Sequence, residues 1–175
     1  MIILNKIILL CGESGSGKDT VAQILSNKYN LKQLISYTTR KPRYENEKTH
    51  IFITEEKIDK YKKDIIGYTY YNNNYYFSTS KQVEESDVYV IDILGIQYFK
   101  NHYKGDKEYI IIYLQVPDEI RKERMENRGD NDNNIYSRLE YDKEAFKNAK
   151  YIATNIIENK NSEETADMIY KIYKE

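Results

Sequence analysis

The stretch GESGSGKDT, Gly12 to Thr20, decides the fold of this chain, and it directly follows the apolar run KIILLC, Lys6 to Cys11. It nearly fits the pattern G-x-x-x-x-G-K-[ST], in which glycines let successive backbone N–H groups turn toward a phosphate. The apolar run predicts a strand buried on both faces, and apolar residues at helical spacing after Lys18 predict a helix. The positive N-terminal end of that helix and the Lys18 charge would both attract phosphate oxygens, so the stretch predicts a nucleotide-binding loop.

Asp19 is the departure from this pattern, because Ser or Thr usually stands at its position as a ligand of Mg²⁺. A carboxylate is also a good magnesium ligand, and Thr20 beside it offers a hydroxyl oxygen. We therefore expect Mg²⁺ to bind together with the nucleotide, at Asp19 and Thr20. The loop residues expected to bind the nucleotide are Glu13, Ser14, Gly15, Ser16, Gly17, Lys18, Asp19 and Thr20.

Apolar runs and helical patterns alternate along the chain, which indicates an α/β sandwich with a mainly parallel sheet. Further strands are expected at 34–37, 88–93, 109–115 and 151–153, and helices at 18–28, 95–103, 118–128, 135–149 and 162–173. A helix starting at Thr54 and a hairpin of 66–71 and 75–79 interrupt the alternation. We therefore expect one domain over 1–175, with its core at 1–35 and 80–175 and an insertion at 36–79.

The bulk composition argues against several classes of function. Lys and Arg number 27 against 28 Asp and Glu, a net charge of -1, so no broad basic surface for nucleic acid is evident. No stretch approaches 18 consecutive apolar residues, so a membrane span is not expected. Cys11 is the only cysteine and cannot form an internal disulfide, which favours a small core residue in a cytoplasmic protein.

The second informative stretch is SYTTRKPR, Ser36 to Arg43. It places Arg40 and Arg43 three residues apart beside small hydroxyl side chains. Two guanidinium groups at that spacing can both hydrogen-bond to one phosphate. A solvated basic loop is the alternative interpretation of such a stretch taken alone.

Five motifs in order resemble those of the guanylate kinase family: GESGSGKDT, SYTTRKPR, NNNYYFSTS, VYVIDILG and RKERMENRGD. The resemblance spans nearly the full length of the chain, from Ile7 to the last helix. The resemblance implies a P-loop fold of three layers, with a hairpin-bearing region at about 36–79 that binds a nucleoside monophosphate (NMP) and a helical lid at about 124–138. It also implies transfer of the γ-phosphoryl group of ATP, with Mg²⁺, to that monophosphate.

The resemblance also implies roles for individual residues. Arg40, Arg43, Tyr76 and His50 would bind the phosphate of the NMP, Ser36 and Ser78 would face its base, and Asp92 would lie near the magnesium and the acceptor. Asn155 would lie near the adenine of ATP, whereas Arg121 is expected to be a surface residue in a salt-bridged helix. The implied catalytic residues are Lys18, Arg40, Arg124, Arg128 and Arg138, the last three of them in the lid.

The motifs that would recognise the base of the NMP match those of the family less completely. The family uses a glutamate to accept hydrogen bonds from guanine, and counting back from Tyr76 places Gly67 at that position. Phe77 and Leu94 also replace a glycine and an acid of the family motifs. A site built around such hydrogen bonds can discriminate by roughly 10⁴–10⁵, so that power should fall here. GMP or dGMP is the expected acceptor, and a related NMP or dNMP is the alternative.

Two other functions remain open from the sequence. The same scaffold could phosphorylate a sugar phosphate or bisphosphate, or it could be a guanylate-kinase-like binding module without catalysis. Lys18, the loop glycines and the lid arginines are all present, and such modules typically lose residues of the phosphate loop. The expected partners are ATP and an NMP, with the chain as a monomer or homodimer.

Overall fold

The computed structural model describes residues 5–175, which form two four-stranded sheets flanked by helices. The strands are β1 (Lys6–Gly12), β2 (Tyr37–Thr38), β3 (Ile51–Phe52), β4 (Ile65–Tyr71), β5 (Asn74–Thr79), β6 (Val88–Val90), β7 (Glu108–Gln115) and β8 (Asn155–Glu158). The helices are α1 (Lys18–Tyr29), α2 (Ser80–Glu84), α3 (Ile93–His102), α4 (Asp118–Asn127), α5 (Asp132–Ala145), α6 (Ala149–Ile152) and α7 (Ser162–Lys174), with a 3₁₀ helix at Glu55–Lys60.

The core sheet has the strand order β6-β1-β7-β8, and all of its pairs are parallel. Successive residues of β1 point to opposite faces. Ile7, Leu9 and Cys11 pack in one apolar cluster with residues of α3 and α6, while Ile8 and Leu10 pack in a second cluster with residues of α1 and α7. This arrangement confirms the α/β sandwich of three layers and explains why β1 is apolar along its whole length.

The carboxyl ends of the core strands meet at one edge of the sheet. Gly12 at the end of β1 pairs with Leu114 near the end of β7, and Leu10 pairs with Val90 at the end of β6. The phosphate loop, Asp92 and the start of α4 follow these three strands directly, so parallel pairing brings them to the same edge, where ligands bind in open α/β sheets.

The second sheet, of order β3-β2-β5-β4, carries the hairpin. Its turn is formed by Asn72 and Asn73, whose φ angles are 48° and 58°. A two-residue turn with both φ values positive matches the right-handed twist of the flanking strands, and asparagine tolerates this conformation better than most residues. The hairpin expected at 66–71 and 75–79 is confirmed within one residue at each strand.

Several predicted elements are wrong or displaced. Residues 151–153 do not form a strand: Ala149–Ile152 is a helical turn, and the last strand is Asn155–Glu158. The strand expected at 34–37 is found at Tyr37–Thr38 in the second sheet. The helix after Thr54 is a 3₁₀ helix, and no side-chain hydrogen bond caps it.

Side-chain caps account for two further boundary changes. Asp92 accepts a hydrogen bond from the Gly95 N–H at 2.6 Å, so α3 begins at Ile93 and shortens the strand expected at 88–93. Asn131 accepts from the Asn134 N–H at 2.9 Å, so α5 begins inside the stretch GDNDNN. Both are N-terminal caps of the ordinary kind, which satisfy an unpaired N–H of the first turn.

Cys11 is completely buried in the first apolar cluster, as the sequence predicts. Burial raises the pKa of its thiol to about 12, so it stays protonated and chemically unreactive at neutral pH. Within residues 5–175, no helix has both the length and the apolar character needed to cross a bilayer.

Candidate functional site

A cavity of about 720 Å³ lies between the phosphate loop, the second sheet and helices α4 and α5. Six basic side chains and two carboxylates line it, an excess of positive charge that suits a polyanionic ligand. The predicted site residues that line it are Ser14, Gly15, Gly17, Lys18, Asp19, Thr20, Ser36, Arg40, Arg43, His50, Tyr76, Asp92, Arg124, Arg128 and Arg138.

Four predicted site residues do not line this cavity. The Glu13 carboxylate accepts a hydrogen bond from the Tyr113 hydroxyl at 2.6 Å, and the side chains of Ser16 and Ser78 are completely buried. Asn155 lies at the start of β8, paired with Ile112, away from the carboxyl edge of the sheet.

Asn159, just beyond β8, is a contact that the sequence analysis missed. Its side-chain amide donates to the Ser16 carbonyl at 2.7 Å, and its amide oxygen accepts from the Thr165 hydroxyl at 2.9 Å. The stretch that follows β8 therefore supports the phosphate loop from the α7 side. Nothing in the local sequence marks Asn159 as a contact of the phosphate loop. It reaches the loop because the strand before it, β8, pairs with β7.

The glycines of the phosphate loop are required by conformation and by close packing. Gly15 and Gly17 have φ angles of 78° and 85°, in the left-handed region that favours glycine. A Cβ on Gly15 would lie 2.7 Å from the Arg121 carbonyl oxygen, and one on Gly17 would lie 2.6 Å from the Asn159 amide nitrogen. The loop is thus packed against α4 on one side and against Asn159 on the other.

Arg121 contradicts the expectation of a surface salt bridge, because its side chain is only 2% exposed. It donates to Asp142 Oδ2 at 3.0 Å, to the Ser14 carbonyl at 3.0 Å and to Asp118 at 2.8 Å. The Ser14 N–H donates to the same Asp142 oxygen at 2.9 Å. This buried pair ties α4 and α5 to the backbone of the phosphate loop.

Glu47 is a second residue that the sequence analysis missed. It forms a two-pronged ion pair with Arg40, at 2.7 Å and 3.3 Å, and it accepts the backbone N–H of Arg43 at 2.6 Å. The hydrogen bonds from Arg40 lower the pKa of the Glu47 carboxyl to about 2. One buried carboxylate therefore holds the segment from which both predicted phosphate-binding arginines project.

His50 lies beside Ser36 and Tyr76, in the same wall of the cavity. Its Nδ1 is 3.0 Å from Ser36 Oγ, and its ring makes an edge contact with Tyr76 at a centroid distance of 5.6 Å. Burial, and then the nearby Arg40 charge, lower the pKa of His50 below its ordinary value of 6.5. The imidazole is therefore neutral at pH 7, able to donate one hydrogen bond and accept another.

Asp92 is held rigidly at the edge of the cavity. Its Oδ1 accepts from the Thr69 hydroxyl at 2.8 Å as well as from the Gly95 N–H at 2.6 Å. Burial raises the pKa of this carboxyl, while these two donors and the Lys18 charge act in the opposite direction. Asp92 thus connects the start of α3 with strand β4 of the second sheet.

The three predicted lid arginines all reach the cavity. Arg124 donates to the carbonyls of Gly15, Ser16 and Asn159 at 3.1–3.4 Å, so it lies directly on the phosphate loop. Arg128 pairs with Asp130, and Arg138 lies 4.0 Å from the same carboxylate. Asp130 therefore lies within ion-pair distance of two of these guanidinium groups.

The residues present fit a magnesium ion that is shared with phosphate groups. No group of three or more His, Cys, Asp or Glu side chains that could enclose a metal occurs within residues 5–175. Asp19 and Thr20 are exposed and line the cavity beside Lys18. Mg²⁺ usually binds through one or two protein oxygens and completes its octahedral shell with phosphates and water, which this pair allows.

Comparisons with known proteins agree with this geometry. Residues 8–163 match a family model described as "AAA domain". The chain is 28% identical over 179 residues to a guanylate kinase of Wolbachia pipientis wMel, a match that spans 94% of the chain and 89% of the relative. A guanylate kinase of Fusobacterium nucleatum is 33% identical over 86 residues, which is 47% of the chain and 46% of that relative.

A solved structure shows the same fold. The crystal structure of guanylate kinase from Anaplasma phagocytophilum aligns with a TM-score of 0.72 over 98% of this chain and 85% of that one, at 22% identity. The parallel core sheet, the phosphate loop and the second sheet are thus parts of a known architecture. The chain belongs to the AAA-domain family of P-loop proteins, and its resemblance to the guanylate kinases is confirmed.

Proposed function

We propose that the chain is an ATP-dependent nucleoside monophosphate kinase that transfers the γ-phosphoryl group of ATP to GMP or dGMP. The observation that carries this proposal is the convergence of two phosphate-binding groups on one cavity. The phosphate loop with Lys18 lines it on one side, and the segment bearing Arg40 and Arg43 lines it as well. A donor and an acceptor phosphate held in one cavity is the arrangement that phosphoryl transfer requires.

The chain's own residues would act by positioning and by neutralising charge. The loop N–H groups and Lys18 would hold the β- and γ-phosphates, while Arg40 and Arg43 would hold the phosphate of the acceptor. Bound Mg²⁺, with Asp19 and Thr20 as its protein ligands, would neutralise negative charge on the triphosphate. Arg124, Arg128 and Arg138 would stabilise the charge that spreads over the transferred phosphoryl oxygens.

We also propose that 36–79 is the NMP-binding region and that the lid around 124–138 closes when both substrates are bound. Asp130 supports this role, because it holds Arg128 and Arg138 in place of a phosphate and would release them to one. Closure would exclude water and strengthen each charge contact in the cavity. With nucleotide substrates and a single buried cysteine, a cytoplasmic location is the consistent proposal.

The two alternatives are less well supported. A binding module without catalysis has no need of Lys18 and three lid arginines, all of which line the cavity. A sugar phosphate kinase would share the loop, but the relative that is matched over 89% of its length is a guanylate kinase.

The direct test is turnover with MgATP and a panel of acceptors: GMP, dGMP, AMP, dAMP, CMP, UMP, TMP and a ribose bisphosphate. The proposal requires ADP formation that depends on a nucleoside monophosphate, with GMP or dGMP among the substrates. Turnover with the ribose bisphosphate alone would establish the sugar phosphate kinase instead. If ATP does not bind in calorimetry and no acceptor is phosphorylated, the chain is a binding module.

A further inference from the structure

Three neutral hydroxyl side chains, those of Ser36, Thr69 and Tyr89, are among the residues that line the cavity, and we call them the hydroxyl wall. Ser36 Oγ lies 3.0 Å from His50 Nδ1, and Thr69 donates to the Asp92 carboxylate at 2.8 Å. Tyr89 belongs to β6 and is only 4% exposed, so its ring is fixed by the core while part of it still borders the cavity. A basic wall binds phosphate, whereas hydroxyl groups that both donate and accept suit the edge of a base.

Gly67 lies against this hydroxyl wall, in β4 and paired with Ser78 of β5. A Cβ on Gly67 would lie 2.7 Å from the Tyr89 hydroxyl oxygen, 3.2 Å from a carbon of the Tyr89 ring and 2.7 Å from the Ser78 hydroxyl oxygen. Real Cβ atoms essentially never lie within 3.0 Å of another heavy atom, so a side chain at position 67 would require Tyr89 and Ser78 to shift. The Tyr89 phenol therefore occupies the volume that such a side chain would use.

Ser78 also borders the space around position 67. Its hydroxyl is completely buried, and the Tyr89 hydroxyl lies close enough to interact with it. A buried hydroxyl is costly without a hydrogen-bonding partner, so this neighbour matters to both residues. Burial raises the pKa of Tyr89, which keeps its hydroxyl neutral at physiological pH.

We propose that Tyr89 determines which bases the acceptor site admits, and this proposal rests on the NMP kinase function proposed above. The acceptor base meets the neutral hydroxyl of Tyr89 and its neighbours, with no carboxylate at position 67. A carboxylate only accepts hydrogen bonds and so selects the N1–H and N2–H₂ donors of guanine, whereas a hydroxyl can also donate to the oxygens and nitrogens of other bases. The substrate class is therefore a range of nucleoside monophosphates that includes GMP, with modest preference among them.

The first experiment measures kcat/KM for each acceptor of the panel with the wild-type chain and with Tyr89→Phe, which removes only the hydroxyl. The ratio of GMP to the other acceptors should change by roughly three- to tenfold, the effect of one neutral hydrogen bond, while the KM for ATP stays unchanged. Tyr103→Phe is the matched control, because Tyr103 is also buried but gives its hydroxyl to Glu84, away from the cavity. Acceptor ratios in Tyr89→Phe that match those of the control would overturn the proposal.

The second experiment tests the volume argument. Gly67→Glu alone should lower the melting temperature and leave guanine preference no higher than in the wild type. Gly67→Glu combined with Tyr89→Ala should raise the preference for GMP, because the carboxylate then has room to reach the base. The proposal is wrong if Gly67→Glu alone is as stable as the wild type and already selects guanine.

The wild-type panel separates this proposal from the one it rests on. If no nucleoside monophosphate is phosphorylated, the kinase function fails and the inference fails with it. If GMP is phosphorylated with a preference of roughly 10⁴ over every other base, the kinase function stands and the role of Tyr89 is refuted.

Discussion

Arg121 and Asp142 form a buried ion pair, 3.0 Å apart, that also holds both backbone groups of Ser14 in the phosphate loop. The two residues are 21 positions apart and belong to helices α4 and α5. The pair therefore fixes the loop and helices α4 and α5 as one unit. Any change to it should affect stability and nucleotide binding together.

Replacing Arg121 by Met should destabilise the fold strongly. Removing one member of a buried ion pair leaves an uncompensated charge and typically costs about 3–5 kcal/mol. Denaturant unfolding monitored by circular dichroism measures the loss. Lys122→Met is the control on the exposed side of the same helix, and it should change stability by less than about 0.5 kcal/mol.

The double variant Arg121→Met with Asp142→Leu should recover part of this loss, because apolar pairs often replace buried ion pairs at little cost. Recovery should be incomplete, since the Ser14 N–H loses its acceptor. A double variant no more stable than Arg121→Met would show that the two charges do not act as a pair.

Replacing Glu47 by Gln should weaken acceptor binding while leaving ATP binding intact. The variant loses the charge that holds Arg40 and the acceptor of the Arg43 N–H. The KM for the acceptor should rise by roughly tenfold, as expected for the loss of a charged hydrogen bond. Steady-state kinetics with each substrate varied in turn provides the measurement, and Glu45→Gln, on the exposed side of the same loop, is the control. If only the KM for ATP changes, this loop acts on ATP and not on the acceptor, which would contradict the prediction.

Glu47 should also contribute to stability in a way that depends on pH. Its pKa is about 2 in the folded chain against 4.5 ordinarily, so the folded state favours the ionised form. The contribution is fully present above about pH 4.5 and is lost progressively as the pH falls toward about 2. The difference in unfolding free energy between wild type and Glu47→Gln should therefore shrink on acidification through this range. The Glu47 charge also acts to raise the pKa of His50, so replacing Glu47 by Ala and by Gln in a His50→Gln background removes that contribution from the comparison. A difference independent of pH there would contradict the prediction.

Replacing Lys18 by Ala should lower kcat by about 10²–10³ while the fold is kept. The side chain lines the cavity and would supply the charge that reaches the transferred phosphate. Turnover and far-UV circular dichroism are measured on the same preparation. Lys28→Ala, at the exposed far end of α1, serves as the control. Wild-type rates in Lys18→Ala would refute the assignment of the phosphate loop.

Replacing Asn159 by Ala should raise the KM for ATP, because the Ser16 carbonyl and Thr165 hydroxyl lose their partner. Buried groups left unpaired cost about 1–3 kcal/mol, so stability should fall as well. Asn155→Ala is the matched control, since that residue lies at the start of β8 outside the cavity. If Asn155→Ala raises the KM for ATP and Asn159→Ala does not, the adenine contacts the start of β8 and not the stretch that follows it.

The parts of the fold and site that the sequence predicted are those carried by local patterns. The phosphate loop is contiguous, its glycines mark backbone conformations, and the apolar run before it can only be a buried strand. Arg124 and Arg128 are one helical turn apart, so their common face follows from spacing alone. The hairpin was predicted because the run NNN, 72–74, lies between two strand-like stretches.

The parts that the sequence did not predict depend on contacts between distant segments. Arg121 looks like any arginine of a charged helix until α5 brings Asp142 to it. Residues 151–153 and 156–157 are both short apolar runs, and only pairing with β7 decides which becomes part of the strand. Ser78 has the right motif position, but its side chain is completely buried and does not line the cavity.

The burial of Cys11 has a practical consequence for testing whether the proposed lid moves. Because the chain's only thiol is shielded and stays protonated, reagents such as maleimides should leave the native protein untouched. Cysteines introduced in place of the exposed Tyr70 on the hairpin and Tyr136 on α5 could then carry a fluorophore pair without first removing a native one. Energy transfer between the two dyes would report directly how far the hairpin and the lid approach each other as substrates are added.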